Sequence, residues 1–361
     1  MSFFWSLLII LLVLALLTKS GQHIKPKWSV VILMMLPLWF VRSFVDGQTV
    51  ADVPEYLDIY SSMSGISYSD IITGNLHLEY IEYEKGWLFF NKVLQSFFPP
   101  QQYLLIIDSV IIFLAYAYVI KKYSYLPWLS CVILLCTIYP QSLFVLRQHT
   151  AMAICMLSIP FIIERKIYYF FSIVTVAVLF HNTAVVFYPL YFMSSLAKNK
   201  KFYLYYAILT LILFLFASFF LNKILDYSLF TKDYMYYVER KTSYGNLTGS
   251  IIVLFKICFV YYFLRPNLNI DGVSKILWIM LLISFSISLL NSTVPFISRL
   301  NQYFSYCEIL LIPLCLKNVR HASKPFLVCG IVIFYIALTL YYSRWTQPYM
   351  ANMKLINFLE L

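Results

Sequence analysis

The sequence predicts an all-α fold: a polytopic bundle of about 12 membrane-spanning helices in one domain over residues 1–361. Three observations carry this expectation. First, 61% of the 361 residues are apolar and only 12% are charged, about half the charge density of soluble domains at roughly 25%. Second, the chain breaks into repeated apolar runs of 15–20 residues, long enough to cross a hydrocarbon core of about 30 Å as helices. Third, these runs lack the period-2 alternation that a membrane β-strand requires.

Taken in order, residues 1–17 have no basic residue before their apolar core and no small-x-small site after it. Lys19, Lys25 and Lys27 follow instead, so 2–18 reads as a retained first helix with its N-terminus outside rather than a signal peptide. Further helices are expected over 28–45, 103–120, 125–142, 148–163, 167–181, 183–197, 202–221, 249–264, 275–292, 300–316 and 325–342. The connections holding Lys19/Lys25/Lys27, Lys121/Lys122, Arg165/Lys166, Lys198/Lys200/Lys201, Arg265/Lys275 and Lys317/Arg320/Lys324 carry 15 of the 27 basic residues. Glu164 and Asp271 are the acids among them. These connections alternate along the chain with the others, so all can face the cytoplasm together, with both termini external, as the positive-inside rule expects. Orientation in a bacterial cytoplasmic membrane therefore explains the net charge of +11, and nucleic acid is not an expected partner.

Two longer loops then face outward, about 46–102 and 222–248. The first is acid-rich over 46–85, with Asp46, Asp52, Glu55, Asp58, Asp70, Glu79, Glu82 and Glu84, half of the 16 acids of the chain. Its segment 86–98, "GWLFFNKVLQSFF", is too short to span and precedes Pro99-Pro100, which fits an interfacial or re-entrant helix. The second loop mixes Lys223, Asp226, Lys232, Asp233, Glu239, Arg240 and Lys241 with five tyrosines. All seven cysteines fall in apolar runs without a CxxC pair. They read as buried thiols, and neither a disulfide frame, a metal site nor a cofactor is expected.

With the inward charges set aside, Arg42, Arg147, Arg240, Arg299 and Arg344 fall at or beyond the outer helix ends. A single terminal arginine can snorkel into the headgroups and mean nothing more. Five on the disfavoured side instead suggest binding of a phosphate-bearing lipid head, because the guanidinium fork makes paired, charge-assisted bonds to phosphate. Arg299 shares a helix face with Tyr303, and Arg147 shares one with Ala151. His181 in "LFHNTAVVFYP" ends an apolar run beside Asn182 and Thr183, and its near-neutral ordinary pKa suits a general base. His149 points to a different face from Arg147 and ranks behind His181. Asp52 is the alternative base, and Asp46 and Glu84 also lie near the expected membrane surface. Asp108, Lys256 and Glu308 sit within helices, where pairing or the lining of a cavity would account for them. No HExxH, P-loop, GxSxG or zinc spacing occurs, which leaves ATP hydrolysis and metalloprotease chemistry without support.

Several short motifs, in order, carry a family resemblance. They are "VRSFVDGQTVADVPEYLDIY" with Arg42, Asp52, Tyr56 and Tyr60; "EKGWLFFNKVL" with Glu84 and Gly86; "LRQHTAMAI" with Arg147 and Gln148; "FHNTAVVFYP" with His181, Ala184 and Pro189; and "SRLNQYF" with Arg299 and Tyr303. This pattern resembles the EpsG family, which looks like a branch of the Wzy-type polysaccharide polymerases; Thr183 stands where the family often has serine. The resemblance implies a GT-C-like membrane glycosyltransferase acting at the outer face on undecaprenyl-diphosphate-linked oligosaccharide repeat units, without a metal. It assigns Arg147, Arg299 and Arg42 to the diphosphate, His181 or Asp52 to catalysis, and Gln148, Tyr56, Glu84 and Tyr303 to substrate. Its partners would be those lipid-linked glycans, the bilayer and a chain-length regulator protein. The rival expectations are a lipid-linked oligosaccharide flippase, an O-antigen ligase and an O-acetyltransferase.

Overall fold

The computed structural model describes residues 2–18, 27–76, 80, 83–197, 199–216, 248–264, 272–291, 297–350 and 353–356. Among them the chain is helical, and its β pairing is one isolated antiparallel bridge, Val45 with Leu355. The second expected loop, 222–248, lies outside the described residues apart from Thr248, as does Arg240; of Arg344 only the helical backbone is described.

Helices α1 (Ser2–Leu17) and α2 (Trp28–Ser43) open the bundle. The acid-rich segment follows, with two short helices, α3 (Val53–Ser62) and α4 (Tyr68–Thr73), and then α5 (Lys85–Phe97). At 13 residues, α5 is about 20 Å long, short of a hydrocarbon core. It buries Trp87, Leu88, Asn91 and Leu94 while Phe97 is exposed, the two-sided character expected of an interfacial segment. The centre of the molecule is α6 (Gln102–Tyr123), which packs on α2 along one side and on α9 (Leu146–Leu157) along another.

Proline placement explains where the expected helices divide. The run expected over 125–142 is α7 (Pro127–Thr137) and α8 (Tyr139–Ser142), with Pro140 in the first turn of the second piece. The next is α9 followed by α10 (Ile159–Ile163), with Pro160 at the same place. Proline lacks the N–H that an interior turn needs, but the first turn of a helix has no partner for that N–H. After α11 (Ile167–Phe180), the expected helix 183–197 is a 3-10 turn, Asn182–Phe187, and then α12 (Pro189–Leu196). The remaining elements are α13 (Lys200–Leu215), α14 (Thr248–Leu264), α15 (Val273–Leu290), α16 (Ile297–Ser305), α17 (Glu308–Cys315) and α18 (Lys324–Met350).

Among the described residues four helices are long and apolar enough to cross a membrane: Gln102–Tyr123, Leu146–Ile163, Val273–Leu290 and Lys324–Ser343. Six more apolar helices are shorter. These lengths support a helical membrane protein and do not establish a count of twelve. Ile9, Leu16, Tyr168, Leu204 and Phe326 project outward, as side chains facing lipid would. Five cysteines are buried as expected, whereas Cys258 and Cys329 are exposed.

Among the described residues two ion pairs lie inside this apolar body. Arg42, 1% exposed, donates to Asp108 at 2.6 Å, to the Ser109 hydroxyl at 2.6 Å and to the Ser142 carbonyl at 2.9 Å. The other Asp108 oxygen accepts from the Thr150 hydroxyl. Four helices, α2, α6, α8 and α9, are thus joined around one guanidinium. Lys256 on α14 donates to both oxygens of Glu308, at 2.8 and 2.7 Å, and the Tyr335 hydroxyl on α18 donates to the same carboxylate at 2.8 Å. A charge in such surroundings is tolerated only when paired and hydrogen-bonded.

The end of the described chain returns to the end of α2. The Asp46 N–H donates to the Lys354 carbonyl at 2.8 Å, and the Ile356 N–H donates to the Phe44 carbonyl at 3.0 Å. Residues 353–356 therefore lie at the same end of the bundle as the acid-rich segment.

Asp108→Ala should lower stability by about 3–5 kcal/mol, because it strands a buried guanidinium. Paired Arg42→Met and Asp108→Leu should recover most of that loss; unfolding in detergent micelles measures both. In a background without native cysteines, Ser64→Cys and Lys354→Cys should react with a membrane-impermeant maleimide from the same side of sealed vesicles. Labelling from opposite sides would overturn the placement of the tail.

Candidate functional site

The site is built where the start of α5 meets the end of α11. Helix α11 stops at Phe180, and His181 leaves it in an extended conformation, φ −158° and ψ 117°. The chain then turns through 182–187, so the histidine ring projects from the helix end instead of along it. Opposite it, Gly86 lies so close to Leu179 that a Cβ there would meet the Leu179 Cβ and carbonyl oxygen at 2.5 Å. No larger residue allows this approach. Trp87 and Phe90 seal the contact against the Phe180 ring, with centroids 6.2 and 5.4 Å away.

This junction delivers Glu84, the residue that caps α5, to three donors from two other segments. Its Oε1 lies 2.9 Å from His181 Nδ1 and accepts from the Asn182 N–H at 3.0 Å. Its Oε2 accepts from Arg147 Nη1 at 2.6 Å. Burial pushes the Glu84 carboxyl up, but the His181 hydrogen bond and the Arg147 charge outweigh it and hold the group down at about 2. A carboxylate facing Nδ1 favours the proton on that nitrogen, which leaves the lone pair on Nε2. The His181 Nε2 is buried and has no hydrogen-bond partner among the described residues.

Arg147 enters from the first turn of α9. Its guanidinium carbon sits 4.3 Å from the Tyr83 ring centroid and 5.8 Å from that of Tyr56. Tyr56 is hydrogen-bonded to Arg147 as well. The Tyr83 hydroxyl donates to Glu55 on α3. Two aromatic faces and one carboxylate thus fix the cation, and Glu84 takes a single corner of its five-donor fork.

Helix α16 closes another side. The Gln148 amide donates to the Arg299 carbonyl at 2.9 Å and to the Gln302 side chain at 3.2 Å. The Thr183 and Tyr303 hydroxyls lie 3.1 Å apart, with Tyr303 buried. The Arg299 side chain is exposed, and its charge reaches Asp52. Asp52 begins α3 at φ 63°, a left-handed conformation uncommon for residues with a side chain. The residue is exposed, yet partial burial and the Glu55 charge raise its carboxyl above the ordinary value while Arg299 pulls it down.

Of the residues expected from sequence, Glu84, Arg147 and His181 come into direct contact, and Tyr56 joins them through Arg147. Gln148, Arg299 and Tyr303 adjoin them through α16, and Asp52 follows through Arg299. Arg42 does not join this group. Its donors are engaged by Asp108, Ser109 and Ser142, and it braces α9 one turn beyond Arg147 through Thr150. Glu84 was expected on substrate; its two oxygens instead hold the histidine and the arginine. His149 is fully buried, with Nδ1 3.5 Å from the Tyr306 hydroxyl, on another side of α9 from Arg147. Sequence reasoning missed Tyr83, which stands beside Glu84 in "EYEKGW" and could have been found by that adjacency. Among the described residues no cluster of three His, Cys, Asp or Glu could hold a metal.

A family model described as the EpsG family matches residues 27–358, nearly the whole chain, and so includes every residue of this site. No curated protein and no solved structure matches the chain.

Because its folded-state pKa is depressed, Glu84 contributes stability that is present above the ordinary 4.5 and is lost as pH falls toward about 2. Thermal unfolding in detergent across that window should show a smaller pH dependence for Glu84→Gln than for the native chain. Identical profiles would remove the ion-paired carboxylate.

Proposed function

The chain belongs to the EpsG family of Wzy-like polymerases, and on that premise we propose that it polymerises undecaprenyl-diphosphate-linked oligosaccharide repeat units at the outer face of a bacterial cytoplasmic membrane. The family supports a polysaccharide polymerase-type membrane protein. One observation carries the proposal: a single carboxylate, Glu84, holds an arginine on one oxygen and a histidine on the other.

In this reading the acceptor unit presents a sugar hydroxyl to His181 Nε2. The hydroxyl oxygen attacks the anomeric carbon of the growing chain, its proton passes to Nε2, and the bond from that carbon to the diphosphate oxygen breaks. Glu84 orients the ring through Nδ1 and stabilises the imidazolium that forms, the part a carboxylate plays beside a histidine base. Undecaprenyl diphosphate leaves with increased charge on its terminal oxygens, where Arg147 and Arg299 stabilise it. Tyr56 and Tyr83 hold the Arg147 plane, so the cation is positioned before substrate arrives. Tyr303, Thr183 and Gln148 offer polar groups to the sugars. Asp52 serves the acceptor side, near Arg299. Arg42 has no place as a phosphate ligand in this reading; it acts through α9.

A flippase would want unpaired charge along a path through the membrane. Asp108 is taken by Arg42, and Lys256 and Glu308 take each other, which removes the feature that favoured transport. A ligase would use the same arginine and histidine with another acceptor.

Single substitutions of His181, Arg147 and Arg299 by alanine, and of Glu84 by glutamine, test the proposal in the native host. Each should reduce polymerisation by about 10²–10³, leaving single repeat units or short chains at normal protein levels. Wild-type chain lengths in all four would sink the assignment, and repeat units trapped on the cytoplasmic leaflet would point to transport instead.

A further inference from the structure

Residues 353–356 run antiparallel to the connection that leaves α2, with Val45 and Leu355 as the bridged pair. The bonds from Asp46 N–H to the Lys354 carbonyl and from Ile356 N–H to the Phe44 carbonyl flank that pair. Val45 and Leu355 are therefore a non-hydrogen-bonded pair, the kind whose side chains stand closest. A third bond extends the contact past the bridge, from the Lys354 N–H to the Thr49 hydroxyl at 3.2 Å. Two strands alone are marginal in water. Here apolar side chains reinforce the pairing: Val45 is buried, and Met353 and Leu355 pack on the core. Lys354 is exposed and contributes its backbone groups.

The segment held by these bonds leads to the Glu84 site. The Thr49 hydroxyl, which accepts from Lys354, donates to the Asp46 carbonyl at 2.7 Å, and the Asp46 carboxylate accepts from the Gln48 N–H at 3.1 Å. The turn they close lies against α3: a Cβ on Gly47 would meet Leu57 Cδ1 at 2.6 Å and Val53 Cγ1 at 3.0 Å. Asp52 follows at φ 63°, a conformation that persists only where the surroundings fix it. Then comes α3, whose Glu55 takes the Tyr83 hydroxyl while Tyr56 and Tyr83 hold the Arg147 guanidinium. From the other side, Gln102 at the start of α6 donates to the Ser43 and Val45 carbonyls. The connection is thus clamped between α6 and residues 353–356.

We propose that residues 353–356 are a positioning strap: they hold the connection between α2 and α3 so that Tyr56, Tyr83 and Asp52 keep their places around Arg147 and Arg299. The strap touches no substrate and acts through α3. Its existence rests on the backbone contacts alone, and its effect on turnover rests on the polymerase reading. Arg147 stabilises the leaving diphosphate in that reading, so a displaced α3 costs rate in the chemical step more than substrate affinity.

Two measurements on the purified full-length chain test the strap without reference to activity. In a background without native cysteines, Val45→Cys with Leu355→Cys should form a disulfide on mild oxidation, because a non-hydrogen-bonded pair brings its Cα atoms to about 4.5 Å, a separation a disulfide spans. Val45→Cys with Lys354→Cys should not, since neighbouring side chains point to opposite faces. Ile356→Pro and Lys354→Pro each remove a donor N–H and should raise hydrogen exchange over 44–52 and α3 by about tenfold, the scale of one lost hydrogen bond. Lys354→Ala and Ile356→Val keep the backbone groups and should exchange like the native chain. With lipid-linked repeat units as substrate, both proline variants should lose about tenfold in kcat with KM little changed, and the alanine and valine variants should match the native chain. Absence of the disulfide, or equal exchange in the proline and alanine variants, would overturn the strap. Raised exchange with native kcat would overturn its positioning role. Native polymerisation by His181→Ala would instead remove the polymerase reading and the positioning role with it, while the cross-linking and exchange results would still stand.

Discussion

A carboxylate withdrawn from water has to be paired, and Glu84 is the point at which that requirement organises the molecule. Its two oxygens accept from Arg147, His181 and the Asn182 N–H. These donors belong to α9 and to the break after α11, so one side chain sets the position of α5 against two helices. Moving any of the three segments would leave a charge unmatched where solvent cannot repair it. The ion pair and the histidine contact are therefore one constraint. The proposed chemistry inherits its geometry from that constraint rather than from a loop free to adapt.

The same rule recurs at two more depths. Arg42 with Asp108 binds α2, α6, α8 and α9, and Lys256 with Glu308 and Tyr335 binds α14, α17 and α18. Both are closed networks whose charges satisfy one another inside apolar surroundings. The Glu84 network differs in being open on one side. Arg147 and His181 keep part of their surface accessible, 19% and 15%, where Arg42 keeps 1%. That difference in access separates an arginine suited to a ligand from one that braces a helix.

Small steric details decide whether the open network exists at all. Gly86 permits α5 to touch the last turn of α11, and the extended conformation of His181 turns its ring out of the helix. Proline in the first turns of α8, α10 and α12 divides what hydropathy reads as continuous helices. The 3-10 turn that results places Thr183 opposite Tyr303. Each is a local backbone choice with a consequence several residues away at the site.

Hydropathy alone determined the class of the fold, because a lipid-exposed segment must be apolar over a fixed length whatever its neighbours do. Residue type also marked Arg147, His181, Glu84 and Arg299, since charged groups at the ends of apolar runs stand out against their background. What the sequence could not decide is which of these meet. Glu84 and His181 are 97 positions apart and Arg147 is 63 from Glu84, and no local periodicity relates residues on separate helices. Arg42 and Arg147 both read in the chain as outward arginines at helix ends, and packing gave them opposite surroundings. Only the tertiary structure separates the two, because pairing in a low-dielectric interior depends on distance in space, and helix ends carry no record of what they will face.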